Sequence, residues 1–151
     1  MFKFIVTKEL GKLARWLRIL GFDTAYYTSE TQGTLIIKAL SEGRIVVTRC
    51  RRASDSLDKI TLVINSDKLK EQLREVMKEL HLSVDEGKMF TRCTFCNGML
   101  ERTDKDGVKE SIPEYVFKTH NEFMKCASCG KIYWRGTHWG NIQDTLNKIL
   151  R

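Results

Sequence analysis

Four of the five cysteines fall into two pairs of the same form, Cys93-Thr-Phe-Cys96 and Cys126-Ala-Ser-Cys129, with 29 residues between them. Two residues between cysteines let both sulfurs reach one ion while nearby backbone N–H groups stabilise the thiolates. Each pair runs into a small turn residue, Asn97-Gly98 and Gly130. Four thiolates close a tetrahedral site with metal–sulfur distances of about 2.3 Å. Such a site has no open position for water. The expectation is therefore one structural Zn²⁺ per chain, held by Cys93, Cys96, Cys126 and Cys129, whose binding drives folding of the surrounding segment. The competing possibility is four idle thiols or a pair of disulfides, and disulfides are rare in cytosolic proteins. His120 and His138 are also able to bind metal, but a complete set of cysteines leaves them to the surface or to hydrogen-bonded packing.

The second chemical signal is charge. Lys and Arg number 26 against 19 Asp and Glu, a formal +7, and four thiolates with one Zn²⁺ bring this only to +5. The stretch Lys38–Arg52 carries Lys38, Arg44, Arg49, Arg51 and Arg52 against Glu42 alone. Clustered basic charge points to an anionic partner, RNA or DNA before membrane, where an evenly spread excess would mean only a solvated basic surface. Beyond the second cysteine pair, Tyr133, Trp134, Arg135, His138 and Trp139 combine stacking rings with a cation. That set suits unpaired bases, but packing is the favoured reading, because a small module needs aromatic anchors.

The elements that position these residues read as two units. With 151 residues, 42% hydrophobic content and one proline, the chain fits a small α/β domain of residues 1–88 followed by a metal-stapled module of residues 89–151. Phe2–Val6 is a short apolar strand, too short and too interrupted by Lys3 to be a signal or anchor, so a cytoplasmic protein without membrane attachment is expected. After Thr7 the period changes. Leu10, Leu13, Ala14, Leu17 and Leu20 form one helical stripe, with Lys8, Lys12 and Arg15 on the opposite face. Gly21 stops that helix, and Asp23–Thr28 is a second strand. Leu35, Ile36, Ala39 and Leu40 mark a short helix ending near Gly43. Arg44–Thr48 and Ile60–Ile64 are continuous apolar runs of the kind buried in parallel sheets. Leu69, Leu73, Val76, Met77 and Leu80 define a further helix that Ser66 or Asp67 is placed to cap. Strands alternating with helices predict a parallel sheet with helices on both faces. No glycine-rich nucleotide fingerprint is present. In the second unit, Ile112–Lys118 predicts a short helix with Pro113 in its first turn, and Ile142, Leu146, Ile149 and Leu150 predict a C-terminal helix.

In an open α/β sheet, ligands gather where the carboxyl end of a strand meets the next helix. For the first strand that position is Thr7.

Taken together, Leu10–Arg18, Leu20-Gly-Phe-Asp-Thr24, Glu42–Arg49, Cys93-x-x-Cys-Asn97 and Cys129-Gly-Lys-x-Tyr-Trp-Arg-Gly-Thr-His138 resemble the Mut-seven C-terminal RNase domain family over nearly the whole chain. The resemblance implies a PIN-like parallel sheet with helices on both faces, followed by a four-cysteine zinc ribbon and a C-terminal helix. It also implies a metal-dependent nuclease centre, in which carboxylates at strand ends hold Mg²⁺ or Mn²⁺ to generate a nucleophilic hydroxide. The family pattern has an aspartate ending the first strand, an acid opening the short helix and an aspartate after the threonine-arginine pair of the third strand. Here Thr7, Gln32 or Gly33, and Cys50 occupy those places.

Asp67 is the remaining acid near the implied site, with Glu30, Asp55 and Asp58 close in sequence. A hydroxyl and a thiol are poor substitutes for anionic oxygen ligands to a hard cation. The implied reading is a degenerate nuclease fold that binds RNA without cutting it. Its backbone contacts would come from Lys8, Lys12, Arg15, Arg49, Arg51, Arg52 and Arg135, and its setting would be a ribonucleoprotein particle such as the ribosome. Ion pairing with surface acids is the alternative use of Arg15 and Arg18. Two other functions are carried forward: an active Mg²⁺- or Mn²⁺-dependent ribonuclease with a shifted acid set, and a protein-interaction module docking through the ribbon.

Overall fold

The computed structural model describes residues 1–28, 31–51 and 60–150, with backbone alone for residues 137–140 and 150. Its centre is the strand β1 (Lys3–Thr7), flanked by β2 (Asp23–Tyr27) on one side and by β3 (Ile45–Thr48) and then β4 (Thr61–Val63) on the other, all parallel in the order β2-β1-β3-β4. Phe4, Ile5 and Val6 are all fully buried, because a central parallel strand is covered on both faces. Phe4 and Val6 point into the larger core and Ile5 into the smaller.

Helices cover both faces as expected. α1 (Gly11–Ile19) and α3 (Leu69–Glu79) bring Leu13, Leu17, Leu73 and Val76 into the core with Phe4 and Val6. α2 (Gln32–Glu42) lays Leu35 and Ala39 against Ile5, Tyr27 and Val46 on the other face. The first strand does not run straight into its helix. A 3-10 turn, Lys8–Leu10, stands between them, so Lys8 lies on that turn rather than on α1. Thr7 makes no cap bond because its hydroxyl is committed elsewhere. The α3 start also differs from expectation. Neither Ser66 nor Asp67 caps it; instead the Glu75 carboxylate reaches back to accept from the Asn65 and Ser66 N–H groups at 2.9 and 2.8 Å.

The second unit is an antiparallel sheet, β5 (Leu100–Thr103), β6 (Phe123–Cys126) and β7 (Ile132–Trp134), in that order. Between β5 and β6 lie α4 (Lys105–Val108) and α5 (Glu114–Thr119), the latter with Pro113 at its N-cap. Val108, Ile112, Val116 and Phe123 form a small separate core. The last helix, α6 (Thr137–Leu150), returns to the first unit: Leu146 and Ile149 join the larger core beside Leu73 and Val76. Arg74 fastens it there, donating from Nε to the Ile149 carbonyl and from Nη2 to the Lys148 carbonyl, both at 3.0 Å. Among the described residues no helix is long and apolar enough to cross a membrane.

Candidate metal centre and sheet-end site

The four paired cysteines converge. Their sulfurs all lie within 4.8 Å of one another, with Cys93–Cys129 at 3.7 Å and Cys96–Cys126 at 3.3 Å. A tetrahedron with metal–sulfur bonds of about 2.3 Å has edges of about 3.8 Å, so the cluster fits one tetrahedral ion, and none of the cysteines is in a disulfide. Each pair ends in a left-handed residue, Asn97 (φ 71°) and Gly130 (φ 80°). That turn brings the Gly98 N–H onto Cys96 Sγ, while the Cys129 N–H meets Cys126 Sγ, both at 3.4 Å.

Four such close sulfurs cannot all ionise without a cation. Burial raises the Cys126 thiol, but N–H groups of Cys129 and Ser128 and the Cys96 thiol outweigh it and bring it to about 6. Burial beside the other sulfurs pushes Cys96 up to about 12. The Tyr133 hydroxyl stands 3.0 Å from Cys93 Sγ and 3.2 Å from Thr94 Oγ1, an outer hydrogen bond that orients a ligand sulfur. His120 is not part of the centre; its Nδ1 lies 2.9 Å from Thr119 Oγ1 and 3.3 Å from the Val116 carbonyl.

The first cysteine turn is docked against the parallel sheet. Arg18, buried at the end of α1, donates from Nη1 to the carbonyls of Thr94 and Phe95 at 2.9 and 3.1 Å and from Nε to the Thr24 carbonyl at 2.8 Å. It therefore serves backbone carbonyls and not surface acids. Asn97 accepts from the Thr24 N–H at 3.0 Å and donates to Asp23 Oδ1 at 2.7 Å, an oxygen that also receives Arg44 Nη1 at 2.8 Å. Gly21 is needed twice over. Its φ is 92°, and a Cβ there would lie 2.3 Å from the Lys88 carbonyl, where the connecting segment crosses.

At the carboxyl end of the sheet, Thr7 and Thr48 end neighbouring strands, and a carboxylate that the sequence reading passed over lies between them. Glu9 Oε1 accepts from Thr7 Oγ1 at 2.5 Å, Thr48 Oγ1 at 3.0 Å and the Arg49 N–H at 3.1 Å. Thr48 is buried, and the Cys50 N–H donates to its oxygen at 3.1 Å, which leaves its own proton for Glu9. Burial alone would raise the Glu9 carboxyl, but hydrogen bonds from Thr7, Arg49 and Thr48 prevail and hold it below its ordinary value. Glu9 was hidden because the residues after Thr7 read as helix. The 3-10 turn swings it back over the strand ends. The usable signal was the pair of threonines, two donors ending adjacent parallel strands with no acceptor named for them.

The basic residues divide. Lys8 is on the 3-10 turn, Lys12 and Arg15 are exposed on α1, and Arg49 and Arg51 are exposed beyond β3. Arg135 follows β7 in the second unit, exposed. Cys50 and Asp67 are also exposed. Arg52, Glu30, Asp55 and Asp58 lie outside the described residues, as do the side chains of His138 and Trp139. Of the aromatics, Tyr133 is tied to the cysteine centre while Trp134 remains 36% exposed.

Comparison with curated proteins finds no match. A family model, the Mut7-C RNAse domain, matches residues 2–146. The matched span runs from before β1 into α6, so the parallel sheet and the cysteine module are parts of one family architecture, and the chain belongs to the Mut7-C RNAse domain family.

Proposed function

We propose that this protein is a cytoplasmic RNA-binding member of its family that holds RNA without cleaving it, with one structural Zn²⁺ on Cys93, Cys96, Cys126 and Cys129. The reading rests on one observation. Where a Mg²⁺- or Mn²⁺-dependent nuclease needs converging anionic acceptors, Thr7, Thr48 and the Arg49 N–H are converging donors, already satisfied by a single carboxylate oxygen. Among the described residues, the four cysteines alone form a group of three or more metal-binding side chains close enough to share an ion. The cations Lys8 on the 3-10 turn, Lys12 and Arg15 on α1, and Arg49 and Arg51 beyond β3, with Arg52 next in sequence, suit backbone phosphates. A ribonucleoprotein particle such as the ribosome is the setting this reading favours.

The test is binding of a labelled single-stranded RNA across a salt series, with Mn²⁺ present and the RNA recovered intact. With four or more phosphate contacts, the logarithm of affinity should fall with the logarithm of salt at a slope of about −3 or steeper. Salt-independent binding, or none, would refute it. Glu9 itself favours a second reading, an active ribonuclease with a shifted acid set, since it places a carboxylate at the strand ends. That reading requires Mn²⁺-dependent cleavage lost in Glu9→Gln.

A further inference from the structure

The three donors at the sheet end converge on a single acceptor. Thr7 Oγ1 at the end of β1, Thr48 Oγ1 at the end of β3 and the Arg49 N–H just past it meet at one oxygen, and Thr48 is almost wholly buried, at 1% exposure. Its hydroxyl is oriented by the Cys50 N–H at 3.1 Å. What these donors hold is an anion that belongs to the protein: the carboxylate of Glu9, an exposed residue on a three-residue turn. A non-bridging phosphate oxygen has the same acceptor character and the same charge as that carboxylate oxygen. Lys8 precedes Glu9 and Arg49 follows Thr48 in sequence, so the acceptor and one of the donors each have a cation next to them along the chain.

We propose that Thr7 Oγ1, Thr48 Oγ1 and the Arg49 N–H are a phosphate-accepting site that Glu9 occupies in the free protein, so that an RNA phosphodiester and the Glu9 carboxylate compete for the same donors. This rests on the RNA-binding reading and gives that surface a built-in competitor. Displacement needs only a rotation of one exposed side chain. A competitor that fills the site nine-tenths of the time lowers apparent affinity about tenfold, so its removal should be directly visible.

The experiment compares wild type, Glu9→Ala and Glu9→Gln for two ligands, a short labelled RNA by fluorescence anisotropy and inorganic phosphate by calorimetry. Glu9→Ala should bind both about tenfold more tightly, and Glu9→Gln, which keeps an acceptor but not the charge, should fall between. Adding Thr48→Val to Glu9→Ala should abolish the gain, and Glu79→Gln, an equal charge change on α3, should produce none. Equal or weaker binding of both ligands by folded Glu9→Ala and Glu9→Gln overturns the site, as does an equal gain from Glu79→Gln. Thermal melting identifies any variant that has lost its fold, and Glu9→Gln, the milder change, then decides. Wild type that fails to bind RNA refutes the RNA reading instead, while the phosphate measurement still decides the site.

Discussion

Asn97 does the work of two residues. It takes the left-handed conformation that closes the first cysteine turn, and its amide bridges the Thr24 N–H and Asp23. Asn97→Ala should therefore cost about 1–3 kcal/mol, because it strands buried polar groups, and urea unfolding of the metal-loaded protein measures it. Asp23 adds a pH signature. Burial raises its carboxyl, but Arg44 and Asn97 more than compensate and hold it below the usual carboxylate range; Glu9 is depressed likewise. A folded pKa below the unfolded one contributes stability that is full above about pH 4–5 and is lost as pH falls toward the folded value. Stability should accordingly decline below about pH 5, and less steeply in Asn97→Ala than in wild type. Equal acid sensitivity of the two would show that Asn97 does not hold Asp23.

At the level of elements, the legible parts were those fixed by period and by turn residues. The stripe Leu13, Leu17, Leu20 gave α1, Gly21 and Gly43 gave helix ends at positive φ, and the apolar runs gave β3 and β4. The 3-10 turn was illegible because three residues carry no period, and the Glu75 clasp was illegible because it crosses from a helix to a loop that only the fold brings near. Amphipathicity predicted α6 but not which core it would join. The cysteine module is coupled to the sheet through Arg18, which reaches the first cysteine turn from α1, and Asn97, which reaches from that turn to Thr24 on β2. Removing the metal with a chelator should thus unprotect β5, β6 and β7 and also the Thr24 amide on β2, while β1 and β3 amides stay protected. Amide exchange followed by NMR reads this residue by residue. Retained Thr24 protection in the metal-free protein would mean that the turn docks without its ion.

For the whole molecule, the proposal that RNA is held and not cut turns on the sheet end. The architecture is that of an RNase domain over residues 2–146. At its sheet end, the Glu9 carboxylate is turned onto hydroxyl and amide donors of Thr7, Thr48 and Arg49. Three donors crowd the Oε1 oxygen of that carboxylate, which leaves it less free to turn toward a hard cation. The reason Glu9 was not legible in the sequence is physical: it acts through contacts with Thr48 and Arg49, some 40 residues away. The deciding measurement is Mn²⁺ binding to the zinc-loaded protein by electron paramagnetic resonance. Signal from free Mn²⁺ should persist undiminished on adding stoichiometric protein, in wild type and Glu9→Gln alike. One Mn²⁺ bound per chain, displaced by Mg²⁺ and lost in Glu9→Gln, would contradict the donor-filled sheet end and restore a catalytic one.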